Sequence, residues 1–218
     1  MSRPGRPKVH EHLSREAIAQ AALALIDGRG AEALTLRAIA GELGVGTTSL
    51  YHYVADRETI VGDIVGLLLA EVDTTQVPGE TWDQSVRRVG RSLREMALRH
   101  PKAFPLVALA SVDDPLVQDY AARIERLHSF HGIPDSTFRR MWSVLDAFLA
   151  GFLLLLATSC CQEAVAQGDA DASREACNGP PVNRSEALSA EAFDHDLDII
   201  IEGIRKVEML DDHVSVRG

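Results

Sequence analysis

Residues 44–54 read "GVGTTSLYHYV". Three short hydroxyl side chains, Thr47, Thr48 and Ser49, are followed by Tyr51, His52 and Tyr53, where a core helix would bury aliphatics. Such groups donate to and accept from base edges and phosphate oxygens, and a Thr methyl can meet a thymine methyl. Two other clusters could bind a metal. His128 and His131 stand three apart, and Asp194-His195-Asp196 sets an imidazole between carboxylates. A structural metal site wants three or four convergent ligands, so both clusters read better as helix faces and ends, and no metal or cofactor is expected. Cys160, Cys161 and Cys177 are odd in number and follow no visible signal peptide, which argues against a disulfide framework. The sequence holds no G-x-S-x-G elbow, phosphate-cradling glycine loop or H-E-x-x-H pair, so an enzyme is not expected.

The elements that must position these groups are helical. The 218 residues are 46% hydrophobic and only 5% aromatic, and periodicity near 3.6 recurs almost everywhere without strand-like alternation. Ser14 caps a first helix carrying Ile18, Ala22, Leu25 and Ile26. "LTLRAIAGEL" forms a short second helix, Thr47 to Tyr53 a third, and Asp56 caps a fourth. Longer helices follow at 81–99, from Asp114 to Phe130, from Thr137 to about Val165, and from Ala190 to about Glu208. Residues 166–190 are polar and rich in Gly, Pro and Asn, and read as a loop. The expected division is a head, 1–56, with a basic leading arm, and a body, 57–218.

Net charge is −10, yet residues 1–57 carry +1 and residues 58–218 carry −11. The acidity therefore belongs to the body, where it repels DNA and confines contact to the head. The arm residues Arg3, Arg6 and Lys8 suit a minor groove or a run of phosphates. The longest apolar run, Ala147 to Ala157, falls short of the roughly 18–20 residues that span a bilayer, so a cytoplasmic protein without a membrane partner is expected.

The offsets from Leu36 to Val54 fit two helices packed through a tight turn. Ile39, Leu43, Val45 and Leu50 supply the apolar contacts, Ala40 permits close approach, Gly44 takes positive φ at the turn, and Tyr53 closes the core. In such a unit the second helix enters the major groove by its N-terminal residues. Arg37 and Arg57 are placed for phosphates.

Residues 14–72, with "LTLRAIAGELGVGTTSLYHYV-DRE", resemble the DNA-binding head of the tetracycline-repressor (TetR) family. The resemblance implies an all-α fold: a three-helix helix-turn-helix head and a larger helical body for ligand binding and dimerisation. It implies a homodimeric, ligand-responsive regulator, most often a repressor, bound to double-stranded operator DNA and released by a small-molecule effector. An activator, or a ligand-binding protein with a vestigial head, are the alternatives. DNA contacts carried over by the resemblance fall on Arg37, Thr47, Thr48, Ser49, Tyr51, His52, Tyr53 and Arg57. Ala55 stands where many members have lysine.

In the body, the expected effector liners are Trp82, Met96, His100, Phe104, Met141, Trp142, Leu145 and Phe148. "FPLVALASVDDP" lacks the histidine that the magnesium–tetracycline chelate would need, so an apolar or aromatic effector is expected instead. Ala147 to Ala157 is apolar nearly all round and needs cover. Leu153, Leu154, Phe193, Leu197, Ile200, Ile201 and Ile204 are the expected homodimer surface.

Overall fold

The structure, a computed structural model, describes residues 13–166 and 184–215. Arg3, Arg6, Lys8, Cys177 and most of the 166–190 loop lie outside them. Among the described residues there is no strand. The helices are α1 (Arg15–Arg29), α2 (Leu36–Glu42), α3 (Thr47–Leu50), α4 (Arg57–Ala70), α5 (Trp82–Arg99), α6 (Phe104–Ala108), α7 (Pro115–Phe130), α8 (Asp135–Ala166), α9 (Arg184–Ala187) and α10 (Ala190–Ser215).

Local chemistry sets the helix ends. The Ser14 hydroxyl accepts from the Ala17 N–H at 3.0 Å, and the Thr35 hydroxyl from the Ala38 N–H at 3.1 Å. Asp56 accepts from the Thr59 N–H at 2.7 Å and the Thr59 hydroxyl at 2.8 Å, bonds that hold its carboxyl below the usual range. Asp114 accepts from the Leu116 N–H at 2.8 Å, with Pro115 at the first helical position. The α2–α3 turn passes through Gly44 at φ +65°, where a side chain would strain the backbone.

The head core is closed by Ile18, Ala22 and Ile26 of α1, Ile39 and Ala40 of α2, Leu50, Val54, and Ile60 and Ile64 of α4, all buried. One sequence expectation is corrected here. Tyr53 does not close this core; it is 43% exposed, and Val54 is buried in its place. The cause is the early end of α3. Its last turn tightens so that the N–H groups of Tyr53 and Val54 both donate to the Leu50 carbonyl, at 2.9 and 3.0 Å, which swings Tyr53 outward.

α4 joins head and body: α1 packs along one side, α7 and α6 along another. A Cβ on Gly66 would sit 2.5 Å from a Leu116 methyl, so a larger residue there would make the Leu116 side chain shift where α4 meets α7. In the body, α8 packs against α5, α6 and α10. The α5–α10 seam is stitched by arginines: Arg87 to Asp198 at 2.7 Å, Arg91 to Asp194 at 2.9 Å, and the Arg94 guanidinium 6.0 Å above the Phe193 ring. Asp194 is thus committed to an ion pair. By length and composition α8 is apolar enough to cross a membrane over Asp135–Cys161, and only 28% of its most apolar window is buried. On one side of α8, Val144, Ala147, Gly151, Leu155 and Thr158 are exposed.

Candidate nucleic-acid interface and effector chamber

α3 stands on the buried side chain of Leu50, and this anchor decides which neighbours face out. Thr48, Tyr51, His52 and Tyr53 are exposed, and Thr47 and Ser49 are half-buried. Tyr51 is 57% exposed, a large ring held in water with no core reason to be there. Arg37 lies exposed on α2 beside this face. Arg57 is also exposed, but its Nε donates to the Leu34 carbonyl at 3.3 Å, so it braces the segment between α1 and α2 as well. Hydroxyls, rings and guanidinium groups therefore share one surface around a short helix, on a support with its own closed core. That surface can hydrogen-bond a polyanion and enter a groove.

Head and body are latched at a second place. His100, at the C-terminal cap of α5, lies 2.7 Å from Asp27 of α1 through Nδ1 and 3.2 Å from Glu71, just past α4, through Nε2. Arg99 also pairs with Glu71 at 2.7 Å, and Lys102 donates to the Gly28 carbonyl at 3.0 Å. Midway along α4, Arg15 pairs with Asp63 at 2.7 Å. Arg123 of α7 donates to the Leu69 carbonyl at 2.9 Å. Movement of α5 or α7 thus has direct polar handles on α4 and α1.

Two of the body's cavities are walled by described residues of α5, α7 and α8. The larger, about 250 Å³, is walled by α5, α6, α7 and α8 and includes Phe104, Tyr120, Trp142 and Asp146. The smaller, about 70 Å³, is walled by Trp82, His128, His131, Phe138, Met141, Trp142 and Leu145 among others. Val89, Trp142 and Leu149 belong to both and form the wall between them. Burial pushes the Tyr120 phenol well above its usual range, against the pull of Arg123. Burial lowers the His128 imidazole and so keeps it neutral, and desolvation raises the Asp146 carboxyl. His128 stacks on Phe138 at 3.9 Å.

The structure divides the sequence-expected liners. Trp82, Phe104, Met141, Trp142 and Leu145 reach a chamber. Met96 is fully buried and lines neither. His100 belongs to the latch. Phe148 packs 5.6 Å from Phe152 and 6.0 Å from Phe193, filling the seam with α10. Sequence reasoning missed α7 as a wall, and with it Tyr120 and His128. The signal was there: Tyr120, Ile124 and Leu127 form an i, i+4, i+7 stripe that brings His128 with it.

The expected dimer residues also divide. Leu153, Phe193, Leu197 and Ile201 are 1% exposed or less, because α10 packs into α5 and α8 of its own chain. They hold up the monomer and leave a partner nothing to touch. Leu154 and Ile200 are half-buried, and Ile204 is 9% exposed. The open apolar positions are others: Val144 and Leu155 on α8, Ile199 and Val207 on α10, each at least half exposed. Ala147, Gly151 and Thr158 extend the α8 stripe at helical spacing.

Comparison with known proteins bears on this architecture. Residues 18–64 match the family model described as bacterial regulatory proteins, tetR family. The chain is 28% identical over 158 residues to the HTH-type transcriptional repressor DrrR1 of Streptomyces coeruleorubidus, covering 68% of this chain and 55% of that protein. It therefore spans about half the length of this relative. It is 30% identical over 156 residues to an uncharacterised HTH-type transcriptional regulator of Mycobacterium tuberculosis, covering 63% of this chain and 69% of the relative. The fold is similar to that of ActR, a TetR family protein of Streptomyces coelicolor solved in complex with actinorhodin. The TM-score is 0.66 at 23% identity, over 89% of this chain and 96% of ActR. With the helix-turn-helix around Leu50 standing on an all-helical body, the chain belongs to the tetracycline-repressor (TetR) family of bacterial regulatory proteins.

Proposed function

We propose that this chain is a homodimeric transcriptional repressor that binds a palindromic operator and is released by a small molecule held in its body. The observation that carries the reading is the outward face of α3 and the turn after it, where Thr48, Tyr51 and His52 are exposed above the buried Leu50. Two relatives support it: DrrR1 by its name as a transcriptional repressor, and ActR, a TetR family protein, by its bound ligand. Thr47, Ser49, Tyr53, Arg37 and Arg57 complete the proposed DNA face. The basic arm adds phosphate contacts through Arg3, Arg6 and Lys8.

The open stripes of α8 and α10 supply the dimer surface. A second copy related by a two-fold axis would cover Leu155, Ile199 and Val207 with the same residues. Two heads then stand about 34–36 Å apart to meet successive major grooves. An effector in the chambers shifts α7, which is locked to α4 at Gly66 and Leu69, and α4 carries the head out of register. Effector and operator oppose one another through a reciprocal coupling on the order of 1–3 kcal/mol.

A genome-wide binding footprint tests the function. The expected result is a few sharp, two-fold symmetric sites, one of them upstream of the chain's own gene. Uniform occupancy without a shared sequence would contradict it. Raised expression of the bound genes in a deletion strain distinguishes a repressor from an activator.

A further inference from the structure

α4 supplies no cation to the C-terminal end of its own dipole. Its last turn, which ends at Ala70, holds no basic residue. The charge that the last carbonyls favour comes from another helix. Arg123 of α7 donates from Nη2 to the Leu69 carbonyl at 2.9 Å. The same guanidinium lies 5.4 Å from the centre of the Tyr120 ring, and its Nε is 3.5 Å from the Asp119 carboxylate. Leu69 and Tyr120 are both among the residues that wall the larger chamber, of about 250 Å³. Arg123, half-buried, is not among the described residues of that wall, so it holds the two from outside the cavity.

We propose that Arg123 is a positioning residue: a cap lent to α4 by α7, which lets go when the larger chamber fills. This rests on the effector-released reading above and names the side chain that couples its two sites. An occupant presses on the wall helices, and interiors are packed too closely to absorb that within one side chain. A shift of Tyr120 carries the guanidinium that lies over its ring.

The carbonyl is not free to follow. Just beyond α4 the chain is pinned to α5, where the Asp73 N–H donates to the Ser92 hydroxyl at 2.9 Å and Arg88 donates to the Asp73 carbonyl at 3.1 Å. A hydrogen bond weakens steeply once it bends, so movement of α7 parts Arg123 from Leu69 instead of dragging α4 along. The uncapped last turn then frays. Leu69 and Arg57 are twelve residues apart, about 18 Å along the helix axis, so looseness at this end is amplified at the head. The contact of Leu116 with Gly66 is apolar and lacks this directionality.

The chamber can be filled without an effector. Ala150→Phe brings a ring into it from α8 and Ala108→Phe from α6, so that one filler serves if the other is overpacked. Each is made in the full-length chain, with and without Arg123→Met, which keeps an unbranched side chain and removes the donor and the charge. Hydrogen exchange reads the amides of Glu71 and Val72, which donate to the Leu68 and Leu69 carbonyls at 3.1 and 3.4 Å. A filler should speed their exchange by about tenfold, the loss of one charge-assisted hydrogen bond. Arg123→Met should take the same step by itself, and a filler beside it should add less than about twofold. Arg123→Lys, which retains a charged donor, should restore both the protection and its loss on filling. On the duplex recovered upstream of the chain's own gene, filler and Arg123→Met should each weaken binding by about fivefold or more, and the pair no further. Unchanged exchange in both fillers or in Arg123→Met overturns the proposal. So do effects that multiply, as independent packing defects would, or a lysine that restores nothing. A wild-type chain that ignores the duplex while the exchange pattern holds defeats the regulatory reading and leaves the cap standing.

Discussion

Head and body place their polar groups in opposite ways. In the head, the apolar side chains of α1, α2 and α4 close around Leu50, and hydroxyls and rings stand outside on α3. In the body, Tyr120 and His128 bury polar atoms that meet no hydrogen-bond partner, while Leu155, Ile199 and Val207 stand outside. The head's arrangement is at ease in water, whereas the body's costs stability in a lone chain and is relieved by partners. The head's outward polarity suits a hydrated polyanion, the body's outward apolar stripes suit a second copy, and its cavities suit a small ligand. The difference teaches that the surface of a regulator is best read by asking which groups are on the wrong side for a monomer.

The contrast is broken most severely by putting charge on the body's apolar stripes. Leu155→Asp with Ile199→Asp should turn the dimer into a monomer at micromolar concentration, read by sedimentation velocity. Operator affinity should fall by at least about a hundredfold, because two linked heads act through effective concentration. A variant that stays dimeric would move the interface elsewhere. On the head, Thr48→Ala and Tyr51→Ala remove exposed groups that support no core. Each should cost about 1–3 kcal/mol of operator binding, with the thermal midpoint unchanged. A lower midpoint with intact DNA binding would make these residues structural.

A smaller effect is expected where the two regions meet. His100→Ala unlatches Asp27 and Glu71, which lie 2.7 and 3.2 Å away. Effector affinity should change less than about threefold, while the effector's power to release DNA falls by part of the 1–3 kcal/mol coupling. Unchanged release in a gel-shift titration would remove the latch from the mechanism. The smallest effect is on acid stability. The hydrogen bonds of Arg88 hold the Glu80 carboxyl below its usual range, and those of Thr75 do the same for Asp73. A lowered folded pKa gives stability that is present above the unfolded value of about 4 and is lost as pH falls through the folded one. Arg88→Ala should therefore cost up to about 1 kcal/mol more at pH 7 than at the acid end, where only its bonds to the Asp73 and Thr75 carbonyls remain to be lost. Equal losses at both ends, measured by urea unfolding, would assign Arg88 to packing instead.

What could be read from the sequence follows the range of the forces involved. Ser14, Asp56 and Pro115 mark helix starts because a cap acts within three residues, and Gly44 marks the turn because positive φ is a property of one residue. Tyr53 was misplaced because its direction depends on where a four-residue helix stops, one residue's rotation from the other answer. Periodicity showed that Met96 and Trp142 face inward but could not say which meets a cavity and which meets a neighbour; that depends on helices far away in sequence. Leu153, Phe193 and Leu197 look like interface residues for the same reason. Their own chain covers them, and Phe193 and Leu197 sit in an α5–α10 seam held by the Arg87–Asp198 and Arg91–Asp194 pairs, more than one hundred residues apart. His128 looked like a helix-end residue, and only its packing against Phe138 shows that it is buried.

The central claim is that the face of α3 is a sequence-reading surface. Fluorescence anisotropy decides it most directly, using the duplex recovered upstream of the chain's own gene and a scrambled duplex at physiological salt. The wild-type chain should bind the first at least about a thousandfold more tightly than the second. The Thr48→Ala, Tyr51→Ala double variant should lose most of that ratio while remaining folded and dimeric. Equal affinity of the wild-type chain for both duplexes, or a ratio untouched by the double variant, would contradict it.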